Sequence, residues 1–210
     1  MSSHRLLEIA PERLERWVAG FGERHGEVEV VADERSVRLT ASDGAVAELE
    51  VPWPPLPVIK HFVPRLAAHA AASRLALLVL VRRGGYAAGL ATDGEVLTHA
   101  VGTRYVQGRT AAGGWSQQRF ARRRSGQAAA LAGSAVDAVL KVSSSARPDV
   151  VVVGGDRGLV DEVLADPRLS KVAGLPRSPL LAVRDPRLAV LREVAQRSRA
   201  VRVRLTQPHA

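Results

Sequence analysis

The chain has 210 residues, a formal charge of +9 at pH 7 and no cysteine, which excludes a disulfide framework and a thiolate metal site. Its length suits one domain or one domain with an appendage, and a 46% hydrophobic content with only 4% aromatics predicts a core of small and branched side chains. The basic balance points to a polyanionic partner, nucleic acid or an anionic membrane surface, and the lack of cysteine is compatible with a reducing cytoplasmic setting.

The first residues mix Glu and Arg without the apolar stretch of a secretion signal. The longest apolar run, LALLVLV, is too short to span a bilayer, so a soluble protein is expected. PERLERWVAGF places Leu14, Trp17, Val18 and Phe21 at helical spacing after Pro11, and Gly26 marks a stop, so an amphipathic helix opens the chain. Between Glu27 and Val51 two alternating segments, SVRLTA and AVAELEV, flank Ser42-Asp43-Gly44 and predict a hairpin. VPWPPLPV follows, and Pro52, Pro54, Pro55 and Pro57 read as a stiff connector. This divides the chain into an N-terminal lobe, 1–57, and the remainder, 58–210.

A helix through His69 leads into LALLVLV, YAAGLAT and EVLTHAVGTRYV, three strands separated by Arg83-Gly84-Gly85 and Asp93-Gly94. That is a meander. Ala128, Leu131, Ala135, Val139 and Val142 recur at three and four residues and predict a long helix with one apolar stripe. PDVVVVGG reads as a strand buried on both faces, followed by helices near 158–165 and 187–197 and a last strand, AVRVRLT. The fold class is α/β: a mixed sheet, made of an antiparallel meander and a βα half that includes this last strand, with covering helices.

Several chemistries find no support. His4, His25, His61, His69, His99 and His209 show no ligand spacing beside a carboxylate, so no metal or other cofactor is expected. VVVVGGDRG lacks the full glycine fingerprint and the lysine of a phosphate loop; Gly154 and Gly155 shape a turn, and Asp156 caps the next helix. A nuclease would need clustered carboxylates, and Asp149, Asp156 and Asp161 read instead as capping and surface residues.

The stretch GTRYVQGRTAAGGWSQQRFARRR, residues 102–124, is different. No Asp or Glu occurs from Val96 to Val136, so Arg104, Arg109, Arg119, Arg122, Arg123 and Arg124 carry positive charge without internal neutralisation, and each can meet a phosphate. Gly108 and the pair Gly113-Gly114 permit close approach to another surface. Trp115, Ser116, Gln117 and Gln118 can stack and hydrogen-bond but cannot titrate, which excludes them as general acids or bases.

GGWSQQRFARRR resembles the catalytic tip of eukaryotic-type class-1 peptide-chain release factors, GGQ followed by Ser-x-x-Arg-Phe-Ala-Arg-x-Arg. Gly113, Gly114, Ser116, Arg119, Phe120, Ala121, Arg122 and Arg124 match without a gap, but Trp115 stands where that family has its glutamine. With Trp115 as one inserted residue, Gly113, Gly114, Ser116 and Gln117 match the Gly-Gly-Ser-Gln tip of the Vms-type peptidyl-tRNA hydrolases of ribosome quality control. The chain is most similar overall to the single-domain Vms-like release factors of actinobacteria.

This resemblance implies a ribonuclease-H-like mixed sheet and a release-factor-like catalytic domain over 58–210. It implies peptidyl-tRNA hydrolysis on stalled large ribosomal subunits in the cytoplasm, with rRNA and peptidyl-tRNA as partners; stop-codon reading in the related factors belongs to a separate domain for which 210 residues leave no evident room, so action without codon recognition is expected. Gln117 would orient a water in the peptidyl transferase centre. Gln118 is the alternative, because the inserted residue leaves the register open. Gly113 and Gly114 would form the turn, and the six arginines would hold RNA phosphates. Trp115 would stack on a base or else anchor the loop to the protein's own surface, and Ser116 would cap the following helix. Phe120 suits a core contact. Residues 106–115 are expected to be disordered in the unbound protein, and the protein is expected to be monomeric. The competing reading is a ribosome-associated factor that binds RNA through the same tip without catalysis.

Overall fold

The computed structural model describes residues 4–57, 60–103 and 115–207, with only the backbone described over 115–125. In chain order its first elements are β1 (His4–Ile9), α1 (Leu14–His25), β2 (Val28–Ala32), β3 (Ser36–Ala41), β4 (Val46–Glu50), α2 (Phe62–Ala71), β5 (Ala76–Arg82), β6 (Gly85–Thr92) and β7 (Glu95–Thr103). They are followed by α3 (Trp115–Ser143), β8 (Val150–Gly155), α4 (Arg157–Leu164), α5 (Ser170–Ala173), α6 (Leu188–Arg197) and β9 (Val201–Thr206). Among the described residues this is a mixed α/β architecture with two open sheets and six α-helices. The chain forms two compact units, one of Met1–Ser73 with Gln196–Ala210 and one of Arg74–Ala195.

The first unit holds an antiparallel sheet in the order β1-β9-β4-β3-β2. Period-two alternation sends Val37, Leu39 and Ala41 of β3 and Ala47 and Leu49 of β4 inward, while Arg38 and Thr40 face water. The turn between these strands uses Gly44 at φ 88°, and the Asp43 carboxylate accepts from Ala45 N at 2.9 Å. Leu14 and Phe21 of α1 are fully buried in the same core, with Trp17 stacked on Phe21 at 5.8 Å between ring centroids. Leu56, from the proline-rich segment, and Leu66 of α2 complete it.

Two strands of this sheet went unread in the sequence. In β1, Leu6 faces out at 60% exposure while Leu7 and Ile9 pack on the core, and β2 is an edge strand whose Val31 is 58% exposed. β1 is half polar, and β2, although apolar at all but one of its positions, has none of them fully buried because it lies at the sheet edge. The last strand is a correction of topology: β9 does not join the meander but lies between β1 and β4. Its V-R-V-R alternation is that of a strand buried on one face only, unlike the continuous apolar runs of a doubly covered parallel strand. Val201 and Val203 are fully buried, and Arg202 and Arg204 stand opposite Glu50 and Glu48 and form ion pairs with them.

The second unit holds a sheet in the order β7-β6-β5-β8. β5, β6 and β7 form the antiparallel meander that the glycine turns predict, and β8 runs parallel to β5. Beyond β8 the segment 176–181 continues the pairing: Val151 N donates to Pro176 O, Ser178 N to Val151 O, and Leu181 N to Val153 O. β5 and β8 are buried on both faces, as their unbroken apolar runs require. Leu131, Ala135, Val139 and Val142 of α3 pack with Leu77, Val79, Ala88, Leu90 and the Val160 and Val163 side chains of α4 in one cluster. On the opposite face α6 approaches β6 at Gly89, where an added Cβ would lie 2.8 Å from Leu191 Cδ2.

Candidate nucleic-acid interface

β7 delivers the chain to Thr103, and α3 receives it at Trp115. Arg104, Arg109, Gly113, Gly114 and the expected disorder over 106–114 lie outside the described residues. Trp115, Ser116, Gln117, Gln118, Arg119, Phe120, Arg122, Arg123 and Arg124 occupy the opening turns of α3, on helical backbone. Trp115 is therefore the first helical residue, not the last of a disordered segment. Ser116 is the second, inside the helix instead of at the cap position before it, because the helix starts directly after the paired glycines.

The helical backbone separates positions that are adjacent in sequence. At about 100° per residue, position 117 shares a stripe with 121 and 124, and position 118 shares one with 122. Gln117 and Gln118 thus stand on different stripes of α3. A rise of about 1.5 Å per residue sets Trp115 about 24 Å along the axis from Leu131, the first fully buried residue among the described side chains of α3. The far end of the same helix is held in the core and clamped at its side: Arg168 donates to Asp137 of α3 at 2.9 Å and to Asp166 at 3.0 Å. Hydrogen bonds from Arg168 hold the Asp166 carboxyl below the usual carboxylate range, and the two aspartates raise the guanidinium in turn.

The strand that enters the stretch is fixed by a contact that sequence reading missed. Tyr86 of β6 stands opposite Gly102 of β7, and a Cβ at position 102 would lie 2.5 Å from the tyrosine Cζ and Oη. Glycine is what allows the ring to lie over the strand end. Gly85 pairs with Thr103, and a Cβ there would be 3.1 Å from Gly102 O. The available signal was an isolated glycine inside a strand, which marks a close approach.

The glycine turn after β8 serves the sheet. Gly155 has φ +108° and would place a Cβ 2.0 Å from Val81 O, while Gly155 N donates to Leu181 O at 3.0 Å and Asp156 N to Val81 O at 2.8 Å. Those amides are committed to neighbouring backbone and are not presented to an anion. Asp156 occupies the position before α4 without capping it through its side chain; its carboxylate instead accepts from Arg83 N at 3.0 Å. Asp149 accepts from Leu75 N at 2.8 Å, and Asp161 lies 3.6 Å from Arg177. The three aspartates each hold a different structural partner, and among the described residues no group of His, Asp and Glu is placed as metal ligands would be.

A glycine-led, acid-free stretch thus runs into the long helix of the second unit. The family model described as acVLRF1, the Actinobacteria/chloroflexi VLRF1 release factor, matches residues 74–204, well over half of the sequence, and the chain belongs to that family. No match is found among curated proteins. The matched region starts at Arg74, the first residue of the second unit. Among the described residues no helix is long and apolar enough to cross a membrane.

Proposed function

We propose that this protein is a peptidyl-tRNA hydrolase that releases nascent chains from stalled large ribosomal subunits in the cytoplasm. The observation that carries the reading is the sequence Gly113-Gly114-Trp115-Ser116-Gln117-Gln118 at the head of a helix within an acid-free run from Val96 to Val136, in a member of a release-factor family. The antiparallel meander followed by a parallel strand supports a ribonuclease-H-like assignment of the second unit.

In this mechanism the tip enters the RNA-walled peptidyl transferase centre. A water oxygen adds to the ester carbonyl carbon, the bond to the tRNA ribose oxygen breaks, and the ribose hydroxyl regains a proton that the water gives up. Gln117 holds that water and steadies the developing oxyanion, but its amide takes no proton, so the proton travels through water and RNA hydroxyls. Gly113 and Gly114 supply the turn. Trp115 stacks on a base, and Arg104, Arg109, Arg119, Arg122, Arg123 and Arg124, with Ser116 and Gln118, hold RNA.

The test is release from purified large subunits carrying peptidyl-tRNA. Gln117→Ala lowers the release rate by about 10²- to 10³-fold, the usual loss for one positioned oxyanion donor, while subunit binding persists. Unchanged release in the Gln117→Ala, Gln118→Ala and double variants would refute catalysis by the tip and leave a non-catalytic RNA-binding factor.

A further inference from the structure

The end of the second unit's sheet from which β7 leaves for the tip is assembled from segments far apart in sequence. Gly85 pairs with Thr103, and a Cβ on Gly85 would be 3.7 Å from Pro186 O. Arg82 donates to Val183 O at 3.1 Å, Arg83 N donates to the Asp156 carboxylate at 3.0 Å, and Asp156 N donates to Val81 O at 2.8 Å. The turn after β5, the turn after β8 and the segment 183–187 therefore converge beside the strand that enters the tip.

Their charges are one-sided. Residues 82–85, 155–158 and 182–187 contribute five arginines against two aspartates. At the opposite end of the sheet, residues 74–76, 92–95 and 147–150 contribute two arginines against three acids. Two of the five arginines have structural work: Arg82 lies 3.8 Å from Asp156, and Arg184 lies 3.1 Å from Glu193. Arg83, Arg157 and Arg187 are exposed, from three separate segments. Gly84 and Gly158, next to Arg83 and Arg157, have open space where a Cβ would stand, so backbone there can be approached closely.

We propose that Arg83, Arg157 and Arg187 form a second RNA contact, a platform at the root of the tip that takes the phosphate backbone of rRNA or tRNA. The proposal rests on the ribosomal reading above. Guanidinium groups suit phosphate oxygens, and a one-sided field steers an RNA toward this end of the sheet. The platform positions; it does not touch the reacting ester.

The test uses the full chain with Arg83→Ala, Arg157→Ala and Arg187→Ala combined, against Lys141→Ala, Arg147→Ala and Lys171→Ala, which remove the same charge elsewhere in the unit. Binding is measured over a range of salt to three probes: large subunits carrying peptidyl-tRNA, empty large subunits and free tRNA. The platform variant binds subunits at least ten-fold more weakly, and its slope of log affinity against log salt falls by about 2 to 3, roughly 0.7 to 0.9 for each phosphate that is no longer neutralised. Weaker binding to empty subunits assigns the platform to rRNA, and weaker binding confined to the tRNA-bearing probes assigns it to tRNA. Equal binding and slope in the platform variant and wild type, or an equal weakening in the charge-matched control, overturns the platform. If the platform variant binds normally while Gln117→Ala abolishes release, the platform fails and the catalytic tip stands. If it binds weakly while Gln117→Ala, Gln118→Ala and their double variant release normally, the catalytic reading fails and the platform stands.

Discussion

Gly155→Ala tests whether the turn after β8 is a backbone necessity. At φ +108° an L side chain is strained, which alone costs about 1 to 2 kcal/mol. The methyl would also stand 2.0 Å from Val81 O, an approach that backbone cannot relieve without separating β8 from β5. That separation weakens the bond from Asp156 N to Val81 O, worth about 0.5 to 1.5 kcal/mol net. Together these terms predict a loss of about 1.5 to 3.5 kcal/mol in urea unfolding followed by far-ultraviolet circular dichroism, a signal to which α3 contributes strongly. Gly158→Ala is the matched control: its Cβ meets nothing within 4 Å, and the position is helical, so it stabilises by a few tenths of a kcal/mol, up to about 1. A loss below about 1 kcal/mol for Gly155→Ala, or equal effects of the two changes, would refute the close-approach argument.

Ser178→Ala removes the buried hydroxyl that accepts from Val153 N at 3.2 Å and donates to Pro179 O at 3.1 Å; it destabilises by about 1 to 3 kcal/mol in the same unfolding assay. Gly102→Ala displaces the Tyr86 ring and costs about 1 to 3 kcal/mol, and Tyr86→Leu in the same chain recovers part of that loss by clearing the space. Hydrogen bonds from Arg197 hold the Glu8 carboxyl below its ordinary range, against a smaller opposing effect of burial. A carboxyl lowered in the folded state stabilises fully above its unfolded value and loses that contribution as pH falls through the folded value. Glu8→Gln therefore costs at most about 1 kcal/mol at pH 7, given its partial exposure, and progressively less as pH falls through the lowered folded value. A cost independent of pH in parallel urea titrations would contradict this.

Local chemistry was legible where it is self-contained. The 41–45 turn needs only Asp43 and Gly44, the meander turns announce themselves by Arg83-Gly84 and Asp93-Gly94, and the apolar stripe of α3 is a spacing of three and four. The stem was legible for the same reason, since an uninterrupted absence of acids over Val96 to Val136 is a property of order along the chain.

Pairing across distance was not. β9 joins β4 because Arg202 and Arg204 meet Glu50 and Glu48 while Val201 and Val203 fill a core built from the first 73 residues. Its alternation announces a half-buried strand but names no partner, as two sheets offered one. Likewise Tyr86 over Gly102, the committed amides of Gly155 and Asp156, and the meeting of Arg82, Asp156 and Pro186 at the root of the tip depend on residues up to about a hundred positions apart. Sequence alone determined that a positive, non-titrating, glycine-led stretch exists and that a long helix follows it, because composition and period are local. Only the tertiary structure decided what surrounds its root, because that follows from which strands find each other once apolar faces are buried and backbone groups paired.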